Sequence, residues 1–319
     1  MKMNIGIVIG LSTMLLISCN SNSGKKPVAE RDTPVSGKIE IVADNSYKNL
    51  IDSEVTVFNA QYTDAHINVT FKPDAAVVQS FLNDSARLIV LGRQLSSEEV
   101  ISFRRRNYDP KETRVALDAI AVIVNNATPI DKIDMGMLYD LLTGKKSNWQ
   151  QISPKSSATK VSLVMDSKGS GVFKYLQDSV LKGAPVSSNV YAVNTNEEVI
   201  DYVAANPGSM GFIGVNHISD MTDQKNQQFL KKVKLLDIAK SDVAEGYKPY
   251  QAFLATRQYP MVRIVHIYIN EPYNGLGSGF SAFVASDVGQ RIVLKDGLVP
   301  ATMPIRLIQM NPTTSPIGN

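Results

Sequence analysis

The chain has 319 residues, is 44% hydrophobic and 20% charged, and carries a formal charge of +3 with a single cysteine. That is ordinary globular composition, enough for one large or two medium domains, and too weakly basic for a nucleic-acid binder. With one cysteine, internal disulfides and thiolate metal clusters are excluded.

The first residues give the clearest local signal. Lys2 precedes an apolar run from Ile5 to Ile17, followed by Leu16-Ile17-Ser18-Cys19 and then a polar stretch. At ~1.5 Å per residue that run covers ~20 Å, too short for a ~30 Å hydrocarbon core, and a positive start with small residues before a cleavage point fits a secretory signal. The segment resembles bacterial lipoprotein signals, and the resemblance implies cleavage before Cys19 and acylation of its sulfur. Residues 19–37 lack apolar periodicity and are rich in Ser, Asn, Lys and Pro, so they read as a flexible tether between a membrane-bound lipid and a folded body.

Beyond the tether, "KIEIVA" alternates as a strand, and Leu50, Ile51, Val55, Val57 and Phe58 mark an amphipathic helix. "INVTF" predicts a strand, "AVVQSFLND" a helix, and "ARLIVLG" a strand buried on both faces. Ser96 and Glu99 stand at capping-box spacing before a helix that ends in Arg104-Arg105-Arg106. "VALDAIAVIVN" is the longest apolar stretch after the signal. A helix at "MGMLYDLLTG" follows, with Gly144 as its C-cap. "KVSLVMD" then predicts a strand, "SKGSG" a turn and "VFKYLQDSVL" a helix. Thr195 and Glu198 open another helix that Pro207-Gly208 ends. "MGFIGV", "VKLLDI" and "VRIVHIYIN" read as strands, residues 276–294 as one helix, and 311–319 as a loose tail. The alternation predicts an α/β fold with parallel sheets covered by helices on both faces.

Ligands of open α/β sheets bind beyond the carboxyl ends of strands, where helix N-termini present unpaired N–H groups. Three segments have the strand–polar turn–helix form: Asp44-Asn45-Ser46-Tyr47, Gly92-Arg93-Gln94 and Asp166-Ser167-Lys168-Gly169-Ser170-Gly171. Small residues let backbone amides approach an anion, Ser46 and Ser170 add hydroxyls, and Arg93 offers a two-pronged donor. "SKGSG" is not a phosphate-binding loop of the Gly-Lys-Ser/Thr kind, because that ending is missing.

From about Gly37 to Met310 the chain resembles the phosphate-binding proteins of Pst-type ABC importers. The matching stretches are "ALDAIAVIVN", "MLYDLLTGKKSNW", "SKGSGVFKYL", "VAANPGSMGFIGV" and "YPMVRIVHIYIN", in that family's order. The resemblance implies a two-lobed periplasmic-binding-protein-like fold: residues 38–117 and 252–310 in lobe 1, 118–251 in lobe 2, and crossings near Ala116–Ala121 and Tyr250–Leu254. It further implies an anion site of Asn45, Ser46 and Tyr47 from the first lobe and Gly169, Ser170 and Gly171 from the second. An ABC importer permease, and the membrane through lipid on Cys19, would be the partners of a monomer that uses no cofactor, metal or nucleic acid. The chain also departs from the family pattern. Arg93 stands where an Asp is common, Asp166 where an Arg is common, and Val172 where a Thr is common.

The two charge changes read as an exchange, with Arg93 neutralising phosphate and Asp166 accepting its proton. The other reading pairs Arg93 and Asp166 with each other or with other groups. Two further functions stay open: a structural or sensory lipoprotein without tight anion binding, and a phosphate-ester hydrolase. His66, His217 and His266 are in no paired metal spacing, and no Gly-x-Ser-x-Gly elbow supports the hydrolase.

Overall fold

A computed structural model describes residues 31–219 and 224–302. The signal, Cys19 and the tail at 311–319 lie outside the described residues, as do the last residues given to lobe 1.

The chain begins as a run of strand–helix units. β1 (Gly37–Asp44) leads to α1 (Lys48–Gln61), β2 (Ala65–Lys72), α2 (Asp74–Leu82), β3 (Leu88–Leu91) and α3 (Ser97–Arg104). β2, β1 and β3 are parallel neighbours, with β1 in the middle. α1 turns Leu50, Ile51 and Phe58 inward, as its periodicity suggests, with Val55 partly buried beside them, but Val57 of the same set faces outward and is exposed. The capping box at Ser96 and Glu99 forms in both directions.

β4 (Lys111–Asn125) then serves two sheets. Its residues up to Ala119 lie opposite β12 (Val262–Ile269), and Ile120–Val124 lie opposite β8 (Ser209–Gly214). Between β4 and β8 the chain makes β5 (Lys132–Asp134), α4 (Met135–Thr143), β6 (Ser162–Met165), α5 (Gly171–Tyr175), β7 (Val190–Ala192) and α6 (Asn196–Ala205). Gly144 caps α4 in the left-handed conformation, φ 80°, as its position suggested. β7, β6 and β8 again run parallel, and α7 (Asn216–Ser219), α8 (Gln224–Lys232) and β9 (Val233–Leu235) follow. The remainder comprises β10 (Asp237–Ala239), β11 (Gly246–Tyr247), α9 (Gln251–Ala255), β12, α10 (Leu276–Val284), α11 (Asp287–Lys295) and β13 (Val299–Pro300). The main path of strands is β2-β1-β3-β12-β4-β8-β6-β7, and β11-β10-β5 form a separate small sheet.

The fold is thus the expected α/β arrangement of two halves, each with its own parallel strands. It is not parallel throughout: β12 is antiparallel to β3 and β4, and β4 is antiparallel to β8. Two expected elements divide. "VKLLDI" splits at Leu236, where the chain changes partners: β9 joins β4 and β10 joins β5. The helix over 276–294 breaks at Ser286, where extended backbone lets α11 fold back on α10. Gly289 sits against the carbonyls of Phe283 and Val284, too close for any side chain.

Residues 32–36, which the sequence reading places in the tether, are fixed to the body. The Asp32 carboxylate accepts from both Arg87 Nη atoms (3.0 and 2.8 Å), the Tyr273 hydroxyl (2.5 Å) and the Leu276 N–H (2.8 Å). Burial alone would raise Asp32, but these donors outweigh it and hold the carboxyl well below its usual range.

Glu54 shares the buried face of α1, and neither carboxylate oxygen has a hydrogen-bond partner among the described residues. Burial, reinforced by Asp296, pushes it up to about 9. Because the folded value lies above the unfolded one near 4.5, stability falls as pH rises between them, by about 3 kcal/mol at pH 7. Glu54→Met should therefore raise the urea midpoint at pH 7 and flatten its fall between about pH 5 and 9. An unchanged midpoint at both ends would contradict this.

Candidate functional site

β4, which passes from one half to the other, and its neighbour β12 bring opposite charges face to face. Arg263 on β12 lies directly across the ladder from Asp118 on β4, and its Nε donates to Asp118 Oδ2 at 2.5 Å. Both are inside the protein, Arg263 at 4% exposure and Asp118 at 0%. Asp118 Oδ2 also accepts from the Tyr47 hydroxyl at 3.0 Å, and Oδ1 from the Ala119 N–H at 2.6 Å. The Tyr47 ring lies beside the guanidinium, 5.3 Å from its carbon. Burial would lower Arg263, but Asp118, Tyr47 and Asp44 outweigh it and hold the guanidinium above its ordinary value. It stays charged. Its tips, Nη1 and Nη2, are buried without a partner among the described residues.

Three chain turns converge on those tips. At the end of β1 the Asp44 carboxylate accepts from the Ser46 N–H at 2.7 Å, and its other oxygen reaches across to the Gly171 N–H at 3.2 Å. Ser46 Oγ is buried without a partner among the described residues, and the Ser46 carbonyl accepts from Asn216 Nδ2 at 2.5 Å. In the turn after β6, Ser170 Oγ donates to Asp166 at 2.5 Å and accepts the Phe173 N–H at 3.1 Å, capping α5. The Ala75 N–H, on α2, donates to the Gly169 carbonyl at 3.3 Å and closes the outer edge. Glycine makes the close approaches possible: a Cβ at Gly92 would overlap the Tyr47 hydroxyl, and one at Gly171 would stand 2.8 Å from Asp44 and 3.2 Å from Nη1. A Cβ at Gly214 would lie 3.5 Å from Nη2. The fork therefore points to where α5 and α7 begin.

Asp166, at 4% exposure, is pushed up to about 7 by burial; the Ser170 hydroxyl opposes this and the facing Asp44 adds to it. Tyr175 is pushed up to about 12 by burial and remains a neutral phenol.

Of the residues singled out from sequence, Ser46, Tyr47, Asp166, Ser170 and Gly171 come together here. Tyr47 does so through Asp118 and Arg263, and Gly169 through its carbonyl at the rim. Asn45 is exposed and takes no part in this cluster. Arg93 does not enter it. Its Nε and Nη2 donate to Asp74 (3.0 and 2.7 Å), and its Nη1 and Nη2 donate to Glu99 (2.8 and 2.9 Å). The guanidinium expected there from Arg93 is supplied by Arg263. Of the histidines, His266 is buried with Nδ1 3.1 Å from Glu112, and His66 is exposed on β2. Arg263, Asp118 and Asn216 are not singled out by the sequence, and Asp44 only as the first residue of its turn. The first two carried a signal: each is a charge inside an otherwise apolar strand sequence, and such a charge needs a buried partner.

An arrangement of two parallel-stranded halves that share the long strand β4, with small-residue turns meeting beside it, defines a bilobal binding protein. Residues 28–288 match the model of the PBP superfamily domain, and the chain belongs to that family. Among curated relatives it is 22% identical to the phosphate-binding protein PstS of Pseudomonas aeruginosa over 289 residues, 86% of each chain. It is 22% identical to PstS of Staphylococcus aureus, covering 88% of this chain and 82% of that one. Its fold resembles an ABC-type phosphate transport receptor from Vibrio cholerae (TM-score 0.66, 20% identity, 83% of this chain, 100% of that one). It also resembles a candidate phosphate ABC transporter substrate-binding protein from Clostridium perfringens with bound phosphate (TM-score 0.69, 20% identity, 83% and 99%). The family resemblance read in the sequence agrees with these matches.

Removing one member of a buried ion pair strands the other. Asp118→Ala should cost about 3–5 kcal/mol in a urea melt, against about 1 kcal/mol for Glu99→Ala, since Arg93 keeps Asp74. Equal losses would mean that Arg263 does not depend on Asp118.

Proposed function

We propose that this chain is an extracytoplasmic solute-binding lipoprotein that captures phosphate, or a similar tetrahedral oxyanion, between its two halves for an ABC importer. The observation that carries the reading is the Arg263 fork: a buried charged group with both terminal nitrogens unpartnered among the described residues, beside the unpartnered Ser46 hydroxyl. Buried charged donors left unmade are costly, and an oxyanion bridging Nη1, Nη2 and Ser46 Oγ would satisfy all three. The names of the relatives point to the same ligand class. In this reading residues 38–117 and 252–310 form one lobe and 118–251 the other, and the lobes close on the ligand by a hinge motion about β4 and the segment that contains α9. Phosphate is held as a bound solute, not turned over; the site's acids and guanidinium serve recognition. A monomer anchored by lipid on Cys19 would place this cleft on the periplasmic side of a membrane, within reach of a permease.

A second reading, a structural or sensory lipoprotein without tight anion binding, is favoured by one observation. The Asp44 carboxylate already bridges the Ser46 and Gly171 N–H groups, so the halves can meet without a bound anion.

Isothermal titration of the mature protein with phosphate, and with sulfate as control, separates the two. Phosphate heat should appear in the parent protein, drop about 100-fold in affinity in Arg263→Met and about tenfold in Ser46→Ala, and change by less than about threefold in Arg93→Ala. Absence of phosphate heat from a folded parent protein would favour the second reading. For the anchor, radiolabelled palmitate should enter the parent chain in a bacterial host but not Cys19→Ser, which should also leave the membrane fraction. Equal labelling of both would remove Cys19 as the lipid site.

A further inference from the structure

We infer that anion capture in this cleft is coupled to the uptake of one proton by Asp166, an inference that rests on the binding reading above. Three carboxylates, of Asp44, Asp118 and Asp166, are buried around the one guanidinium of Arg263, at 1, 0 and 4% exposure. Ionised together they outnumber the cation before any ligand arrives. A tetrahedral dianion would add two more negative charges to the same enclosed space, where like charges a few ångströms apart are strongly opposed. Binding there requires one of the acids to become neutral.

The hydrogen bonds say which. Asp118 accepts from three donors, Arg263 Nε, the Tyr47 hydroxyl and the Ala119 N–H. Asp44 receives two N–H groups, from Ser46 and Gly171. Asp166 has the Ser170 hydroxyl and its own backbone N–H; it faces Asp44 across the cleft, and Arg263 acts on it without bonding to it. Tyr47 and Tyr175, both raised by burial, stay neutral and supply no compensating charge or proton acceptor. His217, at the start of α7, lies near Gly214 on the side of Nη2. Asp166 is the acid least supported in its charged form, and burial already holds it at about 7. A bound dianion raises it further, so near pH 8.5 it is ionised in the free protein and protonated in the complex. The proton comes from bulk water, and the resulting carboxylic O–H becomes a donor that can reach the anion. A titratable acid at this position makes the affinity depend on pH.

The sign follows from linkage. A group whose value is raised in the complex makes affinity fall as pH rises from its free value to its bound one, at up to tenfold per pH unit for one proton, and leaves it flat outside that window. The test is titration with inorganic phosphate at about pH 8.5, where the ligand is almost wholly the dianion, in two buffers of different ionisation enthalpy. The parent protein should take up about one proton, and its affinity should fall by up to about tenfold per unit between about pH 8 and 9.5. Asp166→Asn, a neutral stand-in for the protonated acid, should bind phosphate at pH 8.5 at least as tightly, with uptake near zero and a flat pH profile. Asp166→Ser serves the same purpose if circular dichroism shows that the amide disturbs the fold. No uptake in the parent protein would overturn the inference, as would equal uptake in parent and variant, which would place the proton on the ligand. Loss of binding by both folded variants would overturn it too, because the charged carboxylate would then be required. Phosphate heat missing from every protein at every pH sinks the binding reading itself and is a different result from any of these.

Discussion

A guanidinium enclosed by protein must be paired, and where its partner sits determines what else can be built around it. Arg263 on β12 and Asp118 on β4 are paired next to the point where β4, the strand that passes from one half of the molecule to the other, changes partners between Ala119 and Ile120. The charge is therefore fixed on the axis that both halves share. What each half brings is lighter: a serine turn and Asp44 from β1, a glycine-serine turn and Asp166 from β6, and Asn216 from the end of β8. On a hinge motion about β4 the cation would stay in place while the donors and acids swing toward it. That arrangement spares the protein from desolvating an arginine anew each time the cleft shuts, since the pair is part of the ladder and not of the moving rim.

The departure from the family pattern then has a simple form. The arginine implied by the resemblance four residues before Ser170 is replaced by Asp166, and the compensating cation comes from β12, not from Arg93. Arg93 could not serve. Asp74 on α2 and Glu99 on α3 take both edges of its guanidinium, and Glu99 at the same time completes the cap of α3 through the Ser96 N–H at 2.7 Å. One carboxylate thus does local helix work and holds a neighbouring arginine away from the cleft. From the sequence Glu99 reads only as a cap, because the reach from strand end to helix start is a matter of three-dimensional spacing.

Most of the regular structure was legible because it follows local periodicity and capping chemistry: the inward stripe of α1, the box at Ser96, the left-handed Gly144 and the doubly buried β3. Long-range pairing was not. The antiparallel entry of β12 between β3 and β4 joins residues some 150 positions apart, as with Arg263 and Asp118, and a single strand sequence carries no mark of its neighbour's direction. The site was half legible for the same reason. Turn chemistry exposed Ser46, Ser170 and Gly171, whereas the two residues that carry its charge sit in mid-strand and resemble core. The lone Asp in "VALDAIAVIVN" and the lone Arg in "VRIVHIYIN" were nonetheless readable as a pair. Two apolar strands each bearing one opposite charge satisfy both by lying side by side, and few other arrangements leave neither charge stranded.

The polar groups at the centre also bear on why a ligand should favour the closed form. A ligand shifts a conformational equilibrium only by its differential affinity for the two states. Asp44 bridging Ser46 and Gly171 gives the closed form some adhesion of its own, but through N–H groups that water could serve equally well when the halves part. Nη1, Nη2 and Ser46 Oγ differ, because in the closed form they are shut away from water with nothing else among the described residues to accept from or donate to them. In the proposed reading, the closed form without an anion would carry that desolvation cost, and an anion would remove it while adding charge-assisted bonds. On that reading, a preference for closure would reside in the groups left unsatisfied and not in those already bonded. The hydrogen bonds also differ among the three acids beside the one base: Asp118 accepts from three donors and Asp44 from two, whereas among the described residues the only side-chain donor to Asp166 is the Ser170 hydroxyl.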